Sequence, residues 1–71
     1  MPITYNKLWK LLIDRNMNKT QLKDAANVSS NVIAKMGRDE PVAIESLVKI
    51  SLVLGVDIGD IISLKLERVE E

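Results

Sequence analysis

The pattern of apolar and polar positions along this chain predicts short helices joined by polar turns. Near the start, apolar residues recur at the three- and four-residue spacing that places side chains on one face of a helix. These residues are Leu8, Leu11, Leu12 and Ile13, with Trp9 beside them. Thr4 is a residue type that caps helices well, so we predict a first helix that is capped by Thr4 and runs to about Asn16.

Two further short helices are predicted within residues 18–37, with a tight turn between them. Asn18 and Ser29 are favourable caps for their starts, and Asn27 tolerates the left-handed backbone that ends a helix. We expect their inward side to carry Leu22, Ala25, Ala26, Val28, Ile33 and Met36, the two alanines allowing close approach. Two helices joined in this way form a helix-turn-helix, here at about residues 19–38.

The second half of the chain predicts a fourth helix, a short fifth helix and a tail. Residues 37–42 are expected to form a loop, because Pro41 cannot continue a helix. The fourth helix covers about residues 44–54, with Leu47, Ile50 and Leu54 on its buried stripe and Gly55 following its end. Asp57 is suited to cap the fifth helix, at about residues 58–63. The tail, residues 64–71, alternates apolar and charged residues, which favours a strand over a frayed helical end.

Composition excludes several classes of protein. The 71 residues make one small domain, residues 1–71, and include neither Cys nor His. We therefore expect no disulfide, no metal site, no cofactor and no enzyme activity, and a core of this size leaves no room for a small-molecule effector. Asp57 and Asp60 are better explained as a helix cap and a first-turn charge than as an acid–base pair. No apolar run reaches the roughly 18 residues that span a membrane, and no signal sequence is recognised, so a cytoplasmic protein is expected.

The charges are unevenly distributed although they balance overall. Residues 1–38 hold seven basic and two acidic side chains, a net charge of +5. Residues 39–71 hold three basic and eight acidic side chains, a net charge of −5. This separation suggests that one side of the molecule faces a polyanion, although a chance gradient is the alternative.

The outward side of the third helix is predicted to contact DNA bases. The major groove of B-DNA admits one α-helix, and each base pair presents a distinct pattern of donors and acceptors there. The residues left outward are Ser30, Asn31, Ala34 and Lys35. An Asn side chain pairs with adenine, a Lys binds guanine or a phosphate, and an Ala touches the thymine methyl group. Ser29 is better explained as a structural cap than as a base contact.

Three further residues are predicted to contact DNA phosphates. Lys19 and Thr20 begin the second helix, where side chains and free N–H groups suit a phosphate, and Arg38 follows the third helix. The alternative is that Lys19, Lys23 and Arg38 are ordinary solvated side chains.

Over about residues 5–62, the chain resembles the lambda-repressor-like (Xre, or Cro/CI-type) helix-turn-helix family, in particular its short single-domain members. The resemblance rests on Leu22, Ala26, Asn27, Val28, Ser29, Ile33, Pro41, Leu47, Ile50, and residues 54–62. It implies an all-α, five-helix DNA-binding domain with a short C-terminal tail, which binds DNA as a dimer and regulates transcription. It also implies base contacts at Ser30, Asn31, Ala34 and Lys35 and phosphate contacts at Lys19 or Thr20.

The chain departs from this family at three positions. Many members have Ala where this chain has Lys23, Gly where it has Asn27, and a Ser-type cap where it has Ala43. Lys23 must then turn its charged end to solvent, or the two helices cross differently.

The resulting prediction is a DNA-binding transcriptional regulator, acting as a repressor by occlusion on a palindromic double-stranded operator. The alternative is a protein-interaction or antitoxin-like module of the same fold without specific DNA binding, which the acidic second half keeps open. A homodimer is expected, formed through the fifth helix, the tail, or an exposed apolar patch of residues from the fourth helix and the tail. The residues of this patch are Val48, Leu52, Leu64, Leu66 and Val69. A monomer whose tail covers this surface is the other possibility.

Overall fold

The chain folds into helices of eight to eleven residues and a small pair of strands. The computed structural model describes residues 2–65. Its elements in order are β1 (Ile3–Thr4), α1 (Asn6–Asp14), α2 (Lys19–Ala26), α3 (Ser30–Gly37), α4 (Ile44–Leu54), a 3₁₀ turn (Ile58–Asp60) and β2 (Ser63–Leu64). Within residues 2–65, no helix combines the length and the apolar character needed to cross a membrane.

The first helix begins later than the sequence predicts. Thr4 lies in β1, so its assignment as the cap of this helix is wrong, and Tyr5 occupies the cap position. The Thr4 hydroxyl still accepts a hydrogen bond from the Asn6 N–H at 3.2 Å, so it satisfies a first-turn donor from within the strand. The helix ends at Asp14 rather than Asn16, because Asn16 has a φ of 57° and the chain turns there.

The predicted fifth helix is a single 3₁₀ turn, so the described part of the chain has four α-helices. Asp57 does cap this turn: its carboxylate accepts from the Ile58 N–H at 2.9 Å. The chain leaves the helical conformation because residues 63 and 64 pair with the start of the chain. Ser63 lies opposite Thr4 and Leu64 opposite Ile3 in an antiparallel ladder. Leu64 therefore begins the tail as a strand, and residues 66–71 lie outside the described residues.

The core forms between α4 and the other helices. α2 packs against both α3 and α4. The buried apolar side chains are Ile3, Tyr5, Leu8, Leu12, Leu22, Ala26, Ile33, Met36, Leu47, Ile50, Leu54 and Ile61. The stripe predicted for α4 is confirmed, whereas Ala25 is exposed, so only Ala26 allows the close approach of α2.

The loop after α3 is held by contacts with the two ends of the described chain. The Tyr5 hydroxyl donates to the backbone carbonyl of Glu40 at 2.7 Å. The Lys65 ammonium, just after β2, pairs with the Asp39 carboxylate at 2.9 Å. The loop that follows the helix-turn-helix is thereby attached to the strand pair.

Candidate nucleic-acid interface

The two helices of the motif begin with side-chain caps at the predicted residues. The Asn18 carboxamide oxygen accepts from the Gln21 N–H at 2.7 Å, and the Gln21 carboxamide oxygen accepts from the Asn18 N–H at 2.9 Å. The Ser29 hydroxyl accepts from the Val32 N–H at 3.2 Å. Asn27, with a φ of 57°, ends α2 in the left-handed region as predicted. These local contacts set where α3 starts.

The burial of α3 decides which of its side chains face solvent. Ile33 and Met36 are buried against the core, as predicted. The three predicted base-contacting residues Ser30, Asn31 and Ala34 are exposed. Lys35 is only half-buried rather than fully outward, and Val28, expected to point inward, is likewise half-buried.

A shallow groove runs between the start of α2 and the exposed side of α3. It has a volume of about 230 Å³ and is lined by Lys19, Thr20, Lys23, Ser30, Ile33 and Ala34. The fold thus brings together two predicted phosphate-contacting residues and two predicted base-contacting residues. Asn31, Lys35 and Arg38 are not part of this lining.

The lysines of this groove differ in their surroundings. The Lys23 ammonium pairs with the Asp24 carboxylate at 3.1 Å, so its charged end does turn toward solvent. The Lys19 ammonium instead lies 4.5 Å from the centre of the Trp9 ring. It also lies near the end of α3, because a Cβ atom built on Gly37 would be 3.8 Å from it. Sequence reasoning missed Trp9, since residues 9 and 19 belong to different helices and no local spacing links them.

The start of α2 retains unpaired hydrogen-bond donors. Across residues 2–65, the backbone N–H groups of Lys19 and Thr20 meet no acceptor, and the Lys19 ammonium has no carboxylate partner. Such donors at the positive end of a helix dipole favour an anion.

Arg38 is exposed but paired with an acidic neighbour. Its guanidinium donates to the two carboxylate oxygens of Glu40 at 2.9 and 3.3 Å. This hydrogen bond holds the pKa of the Glu40 carboxyl below its usual value. A phosphate at Arg38 therefore has to compete with Glu40.

The geometry offers no clustered metal ligands in the part of the chain that the structure describes. Among residues 2–65, no three Asp, Glu, His or Cys side chains lie close enough to hold a metal ion.

Comparison with known proteins places this geometry in context. A family model described as the Cro/C1-type HTH DNA-binding domain matches residues 7–67. A crystal structure of the transcriptional regulator VanUg, in its Form II, is similar with a TM-score of 0.84 and 48% sequence identity, over 87% of this chain and 83% of that one. No curated protein matches this chain. The family match spans α2, the turn and α3, and so confirms the resemblance drawn from the sequence.

Proposed function

Because this chain belongs to the Cro/C1-type helix-turn-helix family of DNA-binding domains, we propose that it is a sequence-specific transcriptional regulator that reads the major groove with α3. The observation that carries this proposal is the exposed side of α3 beside the basic start of α2. Ile33 and Met36 anchor one side of α3 in the core, so the opposite side is free to enter a groove.

The proposed base contacts are those on the exposed side of α3. Asn31 is suited to a paired hydrogen bond with adenine, and Ala34 to contact with a thymine methyl group. Ser30 is adjacent to the groove and is suited to a single hydrogen bond with a base edge. Lys35 is half-buried, so only the end of its long side chain reaches guanine or a phosphate.

The proposed phosphate contacts flank this reading surface. The N–H groups of Lys19 and Thr20 begin α2, and the Lys19 ammonium lies close to the Trp9 ring and to the end of α3. Arg38 follows the end of α3 and holds the DNA backbone once it exchanges Glu40 for a phosphate. These contacts supply affinity and register, whereas the contacts from α3 supply sequence preference.

We also propose that residues 1–71 act as one domain that represses transcription by occupying its site. Blocking access to DNA requires only a DNA-binding surface, so it is the simplest action for this fold. The expected cytoplasmic location belongs to this proposal, because a regulator shares a compartment with the DNA it binds.

A homodimer is the proposed binding form. α4 carries three apolar side chains at four-residue spacing that are turned to solvent: Ile44 is 60%, Val48 40% and Leu52 76% exposed. A symmetric pair of chains places two reading helices about 34 Å apart on a palindromic site. Leu64 is exposed as well, whereas Leu66 and Val69, predicted to share this surface, lie outside the described residues.

Light scattering coupled to gel filtration tests the dimer. Leu52→Lys is expected to shift a dimer toward monomer, because it puts a charge into the proposed interface. Ile13→Lys is the matched control, since Ile13 is as exposed as Leu52 but lies on α1. A monomeric unchanged protein at micromolar concentration contradicts the dimer proposal.

Selection from random duplex DNA tests the function itself. The purified protein is incubated with the pool at about 100 mM salt, where phosphate contacts still contribute strongly, and the bound DNA is sequenced. We expect an enriched palindrome whose half-site spacing reports the distance between reading helices. A pool without enrichment contradicts sequence-specific recognition and favours a protein-interaction module.

A further inference from the structure

We propose that Trp9, a residue of α1 outside the helix-turn-helix, positions the Lys19 ammonium for its contact with a DNA phosphate. The inference rests on the proposed function, because it concerns how one of the phosphate contacts is held. Trp9 itself touches no DNA in this proposal and is a positioning residue.

Two features of the fold act on the same ammonium group. The face of the Trp9 ring lies 4.5 Å from the Lys19 nitrogen, within the range over which a cation is attracted to an aromatic ring. The end of α3 is also close, since a Cβ on Gly37 would be 3.8 Å from this nitrogen. The negative end of the α3 dipole favours a cation there as well.

Lys19 also lines the groove that contains Ser30 and Ala34. Lys19 therefore borders the proposed reading surface, and its ammonium lies near the end of the helix that forms that surface. A cation over a ring keeps its N–H donors on the other side free, so a phosphate binds without displacing Trp9. In this proposal the Trp9 ring restricts the flexible Lys19 side chain before DNA binds, so less conformational entropy is lost on binding.

Lys23 provides the internal comparison. It lines the same groove from the same helix, but its ammonium pairs with Asp24 rather than with a ring. Loss of the Trp9 ring should therefore weaken the contribution of Lys19 to DNA binding and leave that of Lys23 unchanged.

A double-mutant cycle on DNA binding tests this coupling. Trp9→Leu is expected to weaken binding to duplex DNA about two- to fivefold, the effect of losing one exposed cation–ring contact. It should also reduce the salt dependence of binding. In a Lys19→Ala background the same change should have almost no further effect, whereas in a Lys23→Ala background its full effect should remain. Trp9→Phe keeps a ring and should restore part of the affinity.

The fluorescence of Trp9 gives a second readout, because it is the only tryptophan in the chain. In the protein without substitutions, binding of non-specific duplex DNA should change the Trp9 emission, because a phosphate then binds the Lys19 ammonium beside the ring. Lys19→Ala should remove most of that change, and Lys23→Ala should preserve it.

The outcomes distinguish a failure of the Trp9 proposal from a failure of the proposed DNA-binding function. If the unsubstituted protein binds DNA but the fold-losses of affinity caused by Trp9→Leu and Lys19→Ala multiply in the double variant, the two residues act independently. That result overturns the role of Trp9 and leaves the proposed function intact. An equal change of Trp9 emission in the unsubstituted protein and in the Lys19→Ala variant also overturns the role of Trp9. Absence of salt-dependent DNA binding by the unchanged protein overturns both. If Trp9→Leu does not fold, Trp9→Phe and the fluorescence comparison decide the question.

Discussion

At the scale of single residues, Asn31 is the exposed α3 side chain best suited to hydrogen-bond a base edge, because its carboxamide can pair with adenine. It meets no hydrogen-bond partner among residues 2–65 and caps no helix. We predict that Asn31→Ala weakens binding to the selected site by about 1–3 kcal/mol and barely changes binding to random DNA. Competition assays with the two kinds of DNA measure the difference.

Asn6→Ala is the control for that substitution, since Asn6 is an exposed Asn at the start of α1. It should leave both affinities unchanged. Equal losses on both DNAs after Asn31→Ala would instead assign Asn31 to the DNA backbone.

Arg38 differs from the other proposed phosphate contacts because it is paired in the free protein. We predict that Arg38→Ala weakens all duplexes alike and lowers the slope of log affinity against log salt by about one unit. Glu40→Gln should strengthen non-specific binding, because a phosphate no longer competes with that carboxylate for the guanidinium.

Salt titrations of DNA binding measure both effects. Lys49→Ala is the matched control, since Lys49 is an exposed cation on α4 and does not line the groove between α2 and α3. An unchanged slope after Arg38→Ala would remove Arg38 from the interface.

At the scale of elements, the helices differ in how their starts are stabilised. α2 and α3 begin with side-chain caps. The capping position before α4 is occupied by Ala43, which has no side chain that can accept a hydrogen bond. The φ and ψ of Ala43, −62° and 143°, are extended as a capping residue requires. We predict that Ala43→Ser stabilises the fold by about 0.5–1 kcal/mol, because its hydroxyl can accept a first-turn N–H.

Urea unfolding measures this gain. Ala25→Ser is the control, since Ala25 is exposed within α2 and the same change there should destabilise the helix by up to about 0.7 kcal/mol. A loss of stability from both substitutions would show that the start of α4 cannot use a cap.

At the scale of the whole molecule, Tyr5 joins the strand pair, the core and the loop after α3. Its side chain is buried and its hydroxyl donates to Glu40. Burial raises the pKa of this hydroxyl above its usual value, and the Asp39 carboxylate adds to the shift. Because the folded state holds the proton more tightly, the stabilisation is complete below about pH 10, the unfolded pKa, and is lost as the pH rises toward the folded pKa.

Tyr5→Phe tests this contribution. At neutral pH we expect a loss of about 1 kcal/mol, the value of one hydrogen bond. Above about pH 10 the unchanged protein and the variant should converge in stability, since the ionised hydroxyl no longer favours the fold. Urea unfolding across this pH range measures the difference, and a constant gap would contradict the role of the hydroxyl.

Local interactions explain which features could be predicted from the sequence. Asn18, Ser29 and Asn27 act on backbone groups within three residues of themselves, so their roles are independent of distant parts of the chain. The buried stripe of α4 follows from helical spacing in the same way. The exposure of Ser30, Asn31 and Ala34 was predictable because a helix with one anchored side presents the other, whereas Lys35 is half-buried.

Only the tertiary structure decided the features that join distant residues. Because residues 3–4 pair with residues 63–64, Thr4 lies in a strand rather than at the cap of the first helix, and the predicted fifth helix is only one turn long. The Lys19 ammonium lies over the Trp9 ring because α1 packs beside the start of α2. The sequence alone thus determined the helix boundaries set by caps and the side chains offered on α3. Chain packing decided where the strands form and how Lys19 is held, because those contacts depend on residues that no local pattern connects.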